Sequence, residues 1–208
     1  MKNLCRILAL LLMITVANHV QGQTDTVCAG SNNKIYDVNP TAGSSYSWLL
    51  RNGSTYGSIS TVAGRSDSIV INFGTTAGTD TLQLVEVGAT GCYSDTVKLA
   101  ILILPNVSVT ISGTDSICNN NLSSGKLSLV FTGTPPFSCT YTDGITPVAL
   151  TNILTNTYAI TSLVYTTAGI KPYTISSASG LGSCMANITG TASVTVFPKP
   201  SPGAINHY

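Results

Sequence analysis

The spacing of four cysteines constrains this chain more than anything else in it. Cys28 and Cys92 lie 64 positions apart, Cys118 and Cys184 lie 66 apart, and the second pair follows the first by about 90 residues. The flanking words repeat as well. Asp25-Thr-Val-Cys28 answers to Asp115-Ser-Ile-Cys118, and Gly91-Cys92 with its run to Pro105 answers to Ser183-Cys184 with its run to Pro198. Self-similarity at this period means one unit written twice in tandem. We place the first unit at residues 23–105, the second at 106–198 and a C-terminal tail at 199–208. Pro105 marks a junction with almost no linker, so the units are expected end to end and semi-rigid.

Residues 1–22 read as a secretory signal peptide: Lys2 and Arg6 ahead of the apolar run Ile7–Val16, then Val20-Gln-Gly22 as a small-residue cleavage site. The run is too short to span a bilayer. Cys5 precedes it, which argues against a lipid anchor on that cysteine. The chain is thus expected in the periplasm, on the outer-membrane surface or outside the cell. The exported part keeps seven Lys+Arg against eight acids, a net charge of −1. That leaves no basic patch for nucleic acid or anionic lipid.

Five cysteines remain in an oxidising compartment, enough for two bridges and one thiol. Repeat symmetry favours Cys28–Cys92 and Cys118–Cys184. Cys139, on one strand face with Phe137 and Tyr141, reads as a buried free thiol. An intermolecular bridge from Cys139, or a pairing with Cys184 that releases Cys118, are the alternatives.

Two-residue alternation dominates. In the first unit it predicts strands over Lys34–Val38, Tyr46–Arg51, Ser58–Val62, Asp67–Phe73, Thr79–Val87 and Asp95–Leu104. In the second it predicts Val107–Ile111, Lys126–Phe131, Phe137–Thr142, Thr157–Val164, Ile170–Ser177 and Thr191–Phe197. Ile69, Ile71 and Phe73 facing away from Ser68, Val70 and Asn72 is a typical case. Asn52-Gly53 and Asp143-Gly144 punctuate the runs. Short strands at this spacing mean an all-β chain of two antiparallel, immunoglobulin-like sandwiches. Trp48, the single tryptophan, is expected in the first core. Cys92 falls in the turn Gly88–Cys92, so its bridge is expected to pin loops and not to cross the core.

The chemistry of catalysis is missing. His19 lies in the signal segment and His207 at the extreme C-terminus, so neither unit contains the base of a Ser-His-Asp or Cys-His arrangement. Glu86 is the only glutamate. The seven aspartates form neither a calcium loop nor a close carboxylate pair. No enzyme activity, metal or cofactor is expected. Five of the aspartates do share one tripeptide, Asp followed by Ser or Thr and an aliphatic residue, beginning at Asp25, Asp67, Asp80, Asp95 and Asp115. Asp closing a turn ahead of a β-favouring pair accounts for it. The Asn-x-Ser/Thr sites at Asn52, Asn106, Asn121 and Asn187 matter only in a eukaryotic secretory pathway.

Asp25-Thr-Val-Cys28, Tyr46-Ser-Trp48, Ser68-Ile-Val-Ile-Asn-Phe-Gly74 and Gly91-Cys92-Tyr-Ser-Asp-Thr-Val97 resemble the PKD-like, immunoglobulin-like modules of exported bacterial proteins associated with gliding motility and type IX secretion. Phe131-Thr-Gly-Thr-Pro-Pro-Phe137 and Thr140-Tyr-Thr-Asp-Gly144 resemble the sister module found beside them. The tail Pro198–Tyr208 resembles a linker into a further module, and a periplasmic or surface accessory subunit is expected as readily as a type IX export substrate. The resemblance also implies O-glycans on the hydroxyls of the repeated tripeptide: Thr26, Ser68, Thr81, Thr96 and Ser116.

The expected role is a non-catalytic structural or interaction protein, an adhesive spacer or adaptor with protein partners at the envelope or surface. The apolar run Leu99–Leu104 is the candidate for strand addition to a partner, if it lies at a free edge. The alternative is a carbohydrate-binding module stacking sugars on Tyr46, Tyr56, Tyr93, Tyr141 or Tyr173, which requires those rings exposed on one face.

Overall fold

The computed structural model describes residues 23–121, 126–161, 164–205 and 207; the expected signal peptide, 1–22, lies outside the described residues. The described residues are all-β apart from two short turns of helix. The first half carries β1 (Gln23–Cys28), β2 (Lys34–Asp37), β3 (Ser45–Leu50), β4 (Gly57–Thr61), β5 (Ser68–Phe73), β6 (Gly78–Val87) and β7 (Val97–Leu104), with one helical turn, α1 (Gly53–Tyr56). Their sheets run β1-β7-β6-β3 and β2-β5-β4.

The second half carries β8 (Val107–Ser112), β9 (Thr114–Cys118), β10 (Leu127–Thr132), β11 (Phe137–Thr142), β12 (Pro147–Ile153), β13 (Thr157–Ile160), β14 (Gly169–Ser179), β15 (Ala186–Gly190) and β16 (Ala192–Phe197). A 3₁₀ turn spans Leu181–Ser183. The sheets run β13-β10-β8-β15 and β12-β11-β14-β16-β9.

Each half closes its two sheets over its own core because alternate side chains point inward. Ile69, Ile71 and Phe73 of β5 meet Leu50, Leu82, Ile101, Ile103 and Val27 of the opposite sheet. In the second half Leu127, Leu129 and Phe131 of β10 meet Phe137, Cys139, Tyr173, Val194 and Val196. Phe131 and Phe137 stack with ring centroids 5.0 Å apart. The two clusters share no residue, and only Pro105 and Asn106 separate β7 from β8.

The halves begin their sandwiches alike. β1 pairs in parallel with β7, and β9 pairs in parallel with β16. They differ further along: β4 joins β5 on the three-stranded sheet, whereas β12 joins β11 on the five-stranded one. The second half also has β8, which lies on the opposite sheet from β9. Gly113 makes that switch, with φ of +110° and a hydrogen that points at the Lys126 carbonyl oxygen, where a Cβ would stand only 2.2 Å away. Only glycine fits such a corner.

The sequence reading missed β1, β9, β12 and β15. Gln23–Cys28 and Thr114–Cys118 are polar-rich, and each owes its strand state to a parallel partner some 76–79 residues away in the chain. Asn52-Gly53 opens α1 instead of a bare turn.

Candidate functional site

The most distinctive local structure is where the two halves meet. Cys28 ends β1 in register with Leu104, the last residue of β7. Cys184 follows the 3₁₀ turn of the second half, and the two cysteines are bonded, with Cα atoms 5.4 Å apart and 156 positions between them. Around the bridge, Gly182 packs so close to Leu104 that a Cβ would stand 2.8 Å from its Cδ1. The Val107 amide donates to the Met185 carbonyl (3.3 Å). Ala29, Gly30, Ser31, Lys34, Asn106, Ser183 and the exposed Met185 line a shallow groove beside it.

This pairing corrects the expected Cys28–Cys92 and Cys118–Cys184 bridges. The antiparallel pairing of β6 with β7 puts Gly78 opposite Ile103 and Leu84 opposite Val97. The Gly88–Cys92 turn therefore lies beyond the Val97 end of β7, while Cys28 lies at the Leu104 end. Eight residues of strand put about 25 Å between those ends, and a disulfide spans Cα atoms no more than about 7 Å apart. The second half repeats the obstacle: Cys118 is in register with Phe197, at the far end of β16 from Cys184. Cys92 and Cys118 are exposed free thiols, and Cys139 is a buried one. Burial pushes the Cys139 thiol up to about 11, so it stays protonated and unreactive at neutral pH.

The Cys28 and Cys118 turns are copies of one another, and the Cys92 and Cys184 turns share part of their bonding. After Cys28, the amides of Ala29, Gly30 and Ser31 donate to Leu104, Gly74 and Cys28 carbonyls; after Cys118, those of Asn119, Asn120 and Asn121 donate to Phe197, Tyr165 and Cys118 carbonyls. Gly30 and Asn120 both take the left-handed conformation, with φ of 76° and 67°. Ahead of Cys92 the Gly91 amide donates to Gly88 within a bridge of Val87 to Tyr93. Ahead of Cys184 the Ser183 amide donates to Gly180 within a bridge of Ser179 to Met185.

Four of the five repeated aspartates hold local structure. Asp25, Asp80 and Asp115 each accept the amide of the following residue, at 2.7, 2.7 and 2.8 Å. Asp25 also accepts the Tyr36 hydroxyl at 2.7 Å, and Lys126 reaches Asp115 at 3.6 Å. Burial and the bond to Asp25 push the Tyr36 phenol above its ordinary range. Asp67 holds Arg65 through two contacts, the shorter 2.6 Å. Because Asp and the aliphatic residue share the inward face in β1, β6 and β9, the hydroxyl between them points outward. Thr26, Thr96 and Ser116 are exposed and Thr81 is half-buried. Ser68 is the exception: at 3% exposure it has no room for a sugar in the folded chain.

Two further expectations are corrected. β7 is an interior strand, hydrogen-bonded to β1 on one side and β6 on the other, so Leu99–Leu104 offers no edge. The tyrosines form no sugar platform. Tyr141 and Tyr173 are core residues, and Tyr46 donates to Glu86 (3.4 Å) while accepting the Thr41 amide (2.7 Å). Tyr56 packs on the first core, and of the five rings only Tyr93 is exposed. Trp48 is half-buried against the first core, and its indole N–H donates to the Ser66 carbonyl (2.8 Å). Among the described residues no group of three or more His, Cys, Asp or Glu is placed to hold a metal, and no helix is long and apolar enough to cross a membrane.

No family model matches the chain, and no curated protein matches it. Among solved structures it is similar to the fibronectin(III)-like modules of Clostridium thermocellum CbhA, at 12% identity over 90% of this chain and 97% of that one, with a TM-score of 0.36. It is similar also to the I67–I69 I-band fragment of titin, at 10% identity over 86% and 63% of the two chains, with a TM-score of 0.43. A third is SGBP-B of the Bacteroides ovatus mixed-linkage glucan utilization locus, in complex with a heptasaccharide, at 10% identity over 86% and 67%, with a TM-score of 0.30. Likenesses this loose bear on neither residues nor role.

Proposed function

We propose that this chain is a non-catalytic spacer or adaptor of the bacterial envelope or surface, exported behind residues 1–22 and built from two immunoglobulin-like units. The observation that carries the reading is the Cys28–Cys184 bridge. A disulfide inside one sandwich serves that sandwich's stability. One that ties two cores together, across a joint already tethered by Pro105-Asn106, serves their relative orientation. A fixed joint is what a spacer needs and what a solitary binding module does not. The association with gliding motility and type IX secretion rests on the sequence resemblance, as do O-glycans, for which Thr26, Thr96 and Ser116 are the accessible acceptors.

Cross-linking in intact native cells, followed by purification of this protein, tests the reading. Co-recovery of envelope or surface proteins is the expected result. Recovery of polysaccharide alone, with retention on a polysaccharide column, would overturn it in favour of carbohydrate binding.

A further inference from the structure

The internal joint uses one cysteine turn from each half and leaves the other turn of each half unused. The first half contributes Cys28, and its second turn, with exposed Cys92, lies at the pole remote from the joint. The second half contributes Cys184, and its other turn, with exposed Cys118, likewise lies at the remote pole. Cys118 is the repeat equivalent of Cys28 down to the three backbone hydrogen bonds that follow it, and Cys92 is the equivalent of Cys184, with one amide bond and the flanking bridge in common. We propose that copies of this chain join head to tail through a Cys118–Cys92 disulfide at the place equivalent to the Cys28–Cys184 joint. The inference rests on the spacer reading above.

A second observation points the same way. Leu104, in register with Cys28, is covered at the internal joint by Gly182 and is 4% exposed. Phe197, in register with Cys118, holds the equivalent place and is 51% exposed. Tyr93, which follows Cys92, is 77% exposed, much like its counterpart Met185, which is 83% exposed beside the formed bridge. A large apolar ring, Phe197, thus stands uncovered beside the Cys118 thiol where its counterpart at the internal joint is covered. Joining Cys118 to Cys92 would bring Phe197 of one copy under the turn of the next, as Leu104 lies under its own. Thr90 stands where Gly182 does, and because a Cβ at Gly182 would meet Leu104 at 2.8 Å, the joint between copies packs less closely than the internal one.

Cys92 and Cys118 sit at the far poles of their respective halves, each about a strand length from the joint, so they are not placed to close on each other within one chain. The contact is between different surfaces of two copies and propagates as a filament or ring instead of stopping at a dimer. The bond forms by thiol–disulfide exchange with a disulfide oxidant. Each Sγ–H loses its proton, a sulfur–sulfur bond forms between Cys118 and Cys92, the oxidant's disulfide breaks, and its two sulfurs leave as thiols carrying the two electrons and two protons.

The purified chain, incubated with oxidised glutathione and run without reductant, is expected to give a ladder of multimers that collapses on reduction. Peptide mapping should place Cys118–Cys92 in the multimer bands. Cys92→Ser and Cys118→Ser should each remain monomeric, while an equimolar mixture of the two should give dimer and nothing larger. Symmetric Cys92–Cys92 or Cys118–Cys118 links, or monomer carrying glutathione on both thiols, would overturn the proposal. The same map reports Cys28–Cys184. Its presence without a ladder sinks the head-to-tail joint alone, and its absence sinks the clamped spacer as well.

Discussion

Cys28, the last residue of β1, is bonded to Cys184, between the 3₁₀ turn and β15, across 156 positions of chain. A loop of that length is worth roughly 5 kcal/mol on the chain-entropy model. This is an upper bound, because each core lies wholly on one side of the bridge and two residues already tether the halves. Replacing both cysteines by serine is therefore expected to free the joint more than to melt the cores. Small-angle scattering should show a broadened distribution of maximum dimensions, with far-UV circular dichroism unchanged.

The separateness of the cores predicts separable unfolding. Phe131→Ala removes a stacked ring that is 1% exposed and should cost about 3–5 kcal/mol. Trp48 reports only on the first half, so its fluorescence transition in urea should stay in place while the circular dichroism splits into two steps. A matched shift of both signals would mean that the halves unfold as one.

Thiol accessibility follows from burial. Iodoacetamide at pH 8 should label Cys92 and Cys118 in the native chain and reach Cys139 only on unfolding. Cys139 is 2% exposed and its thiol is held up at about 11. Rapid native labelling of three thiols would contradict the structure of the second core.

The hydrogen bond from Arg65 holds the Asp67 carboxyl below its ordinary range. A depressed folded value means that the contribution of this pair is complete above the unfolded carboxylate range and disappears as pH falls through the folded value. Arg65→Ala should return Asp67 toward the ordinary range in a carboxyl NMR titration and flatten the acid limb of the stability profile.

Gly113→Ala tests the strand switch between β8 and β9. The positive φ costs about 1–3 kcal/mol for a residue with a Cβ, and the clash with the Lys126 carbonyl adds to it. Thermal denaturation of the second half should move down, with Trp48 again unaffected.

Much of the architecture was legible because period-two alternation is a local signal. Ile69, Ile71 and Phe73, or Leu127, Leu129 and Phe131, declare a half-buried strand without reference to any partner. The repeat of cysteine words was equally plain, and it correctly marked which turns resemble which. What the residues could not carry was the pole of the sandwich at which each turn emerges. Cys28 and Cys92 look like a pair in the sequence and are kept apart by the length of β7. Ser68 reads like Thr26 and Ser116, yet it packs inside at the start of β5 while they face solvent. Leu99–Leu104 reads as a sticky run, yet β1 arrives from earlier in the chain to cover one edge and β6 covers the other. The sequence by itself determined the twelve strands with clear alternation, the repeated cysteine words and the poverty of catalytic groups, since each is written in the residues themselves without reference to a partner strand. Only the tertiary structure decided the disulfide partner, the covered edge and the accessible hydroxyls, because each depends on which distant strands hydrogen-bond and at which end.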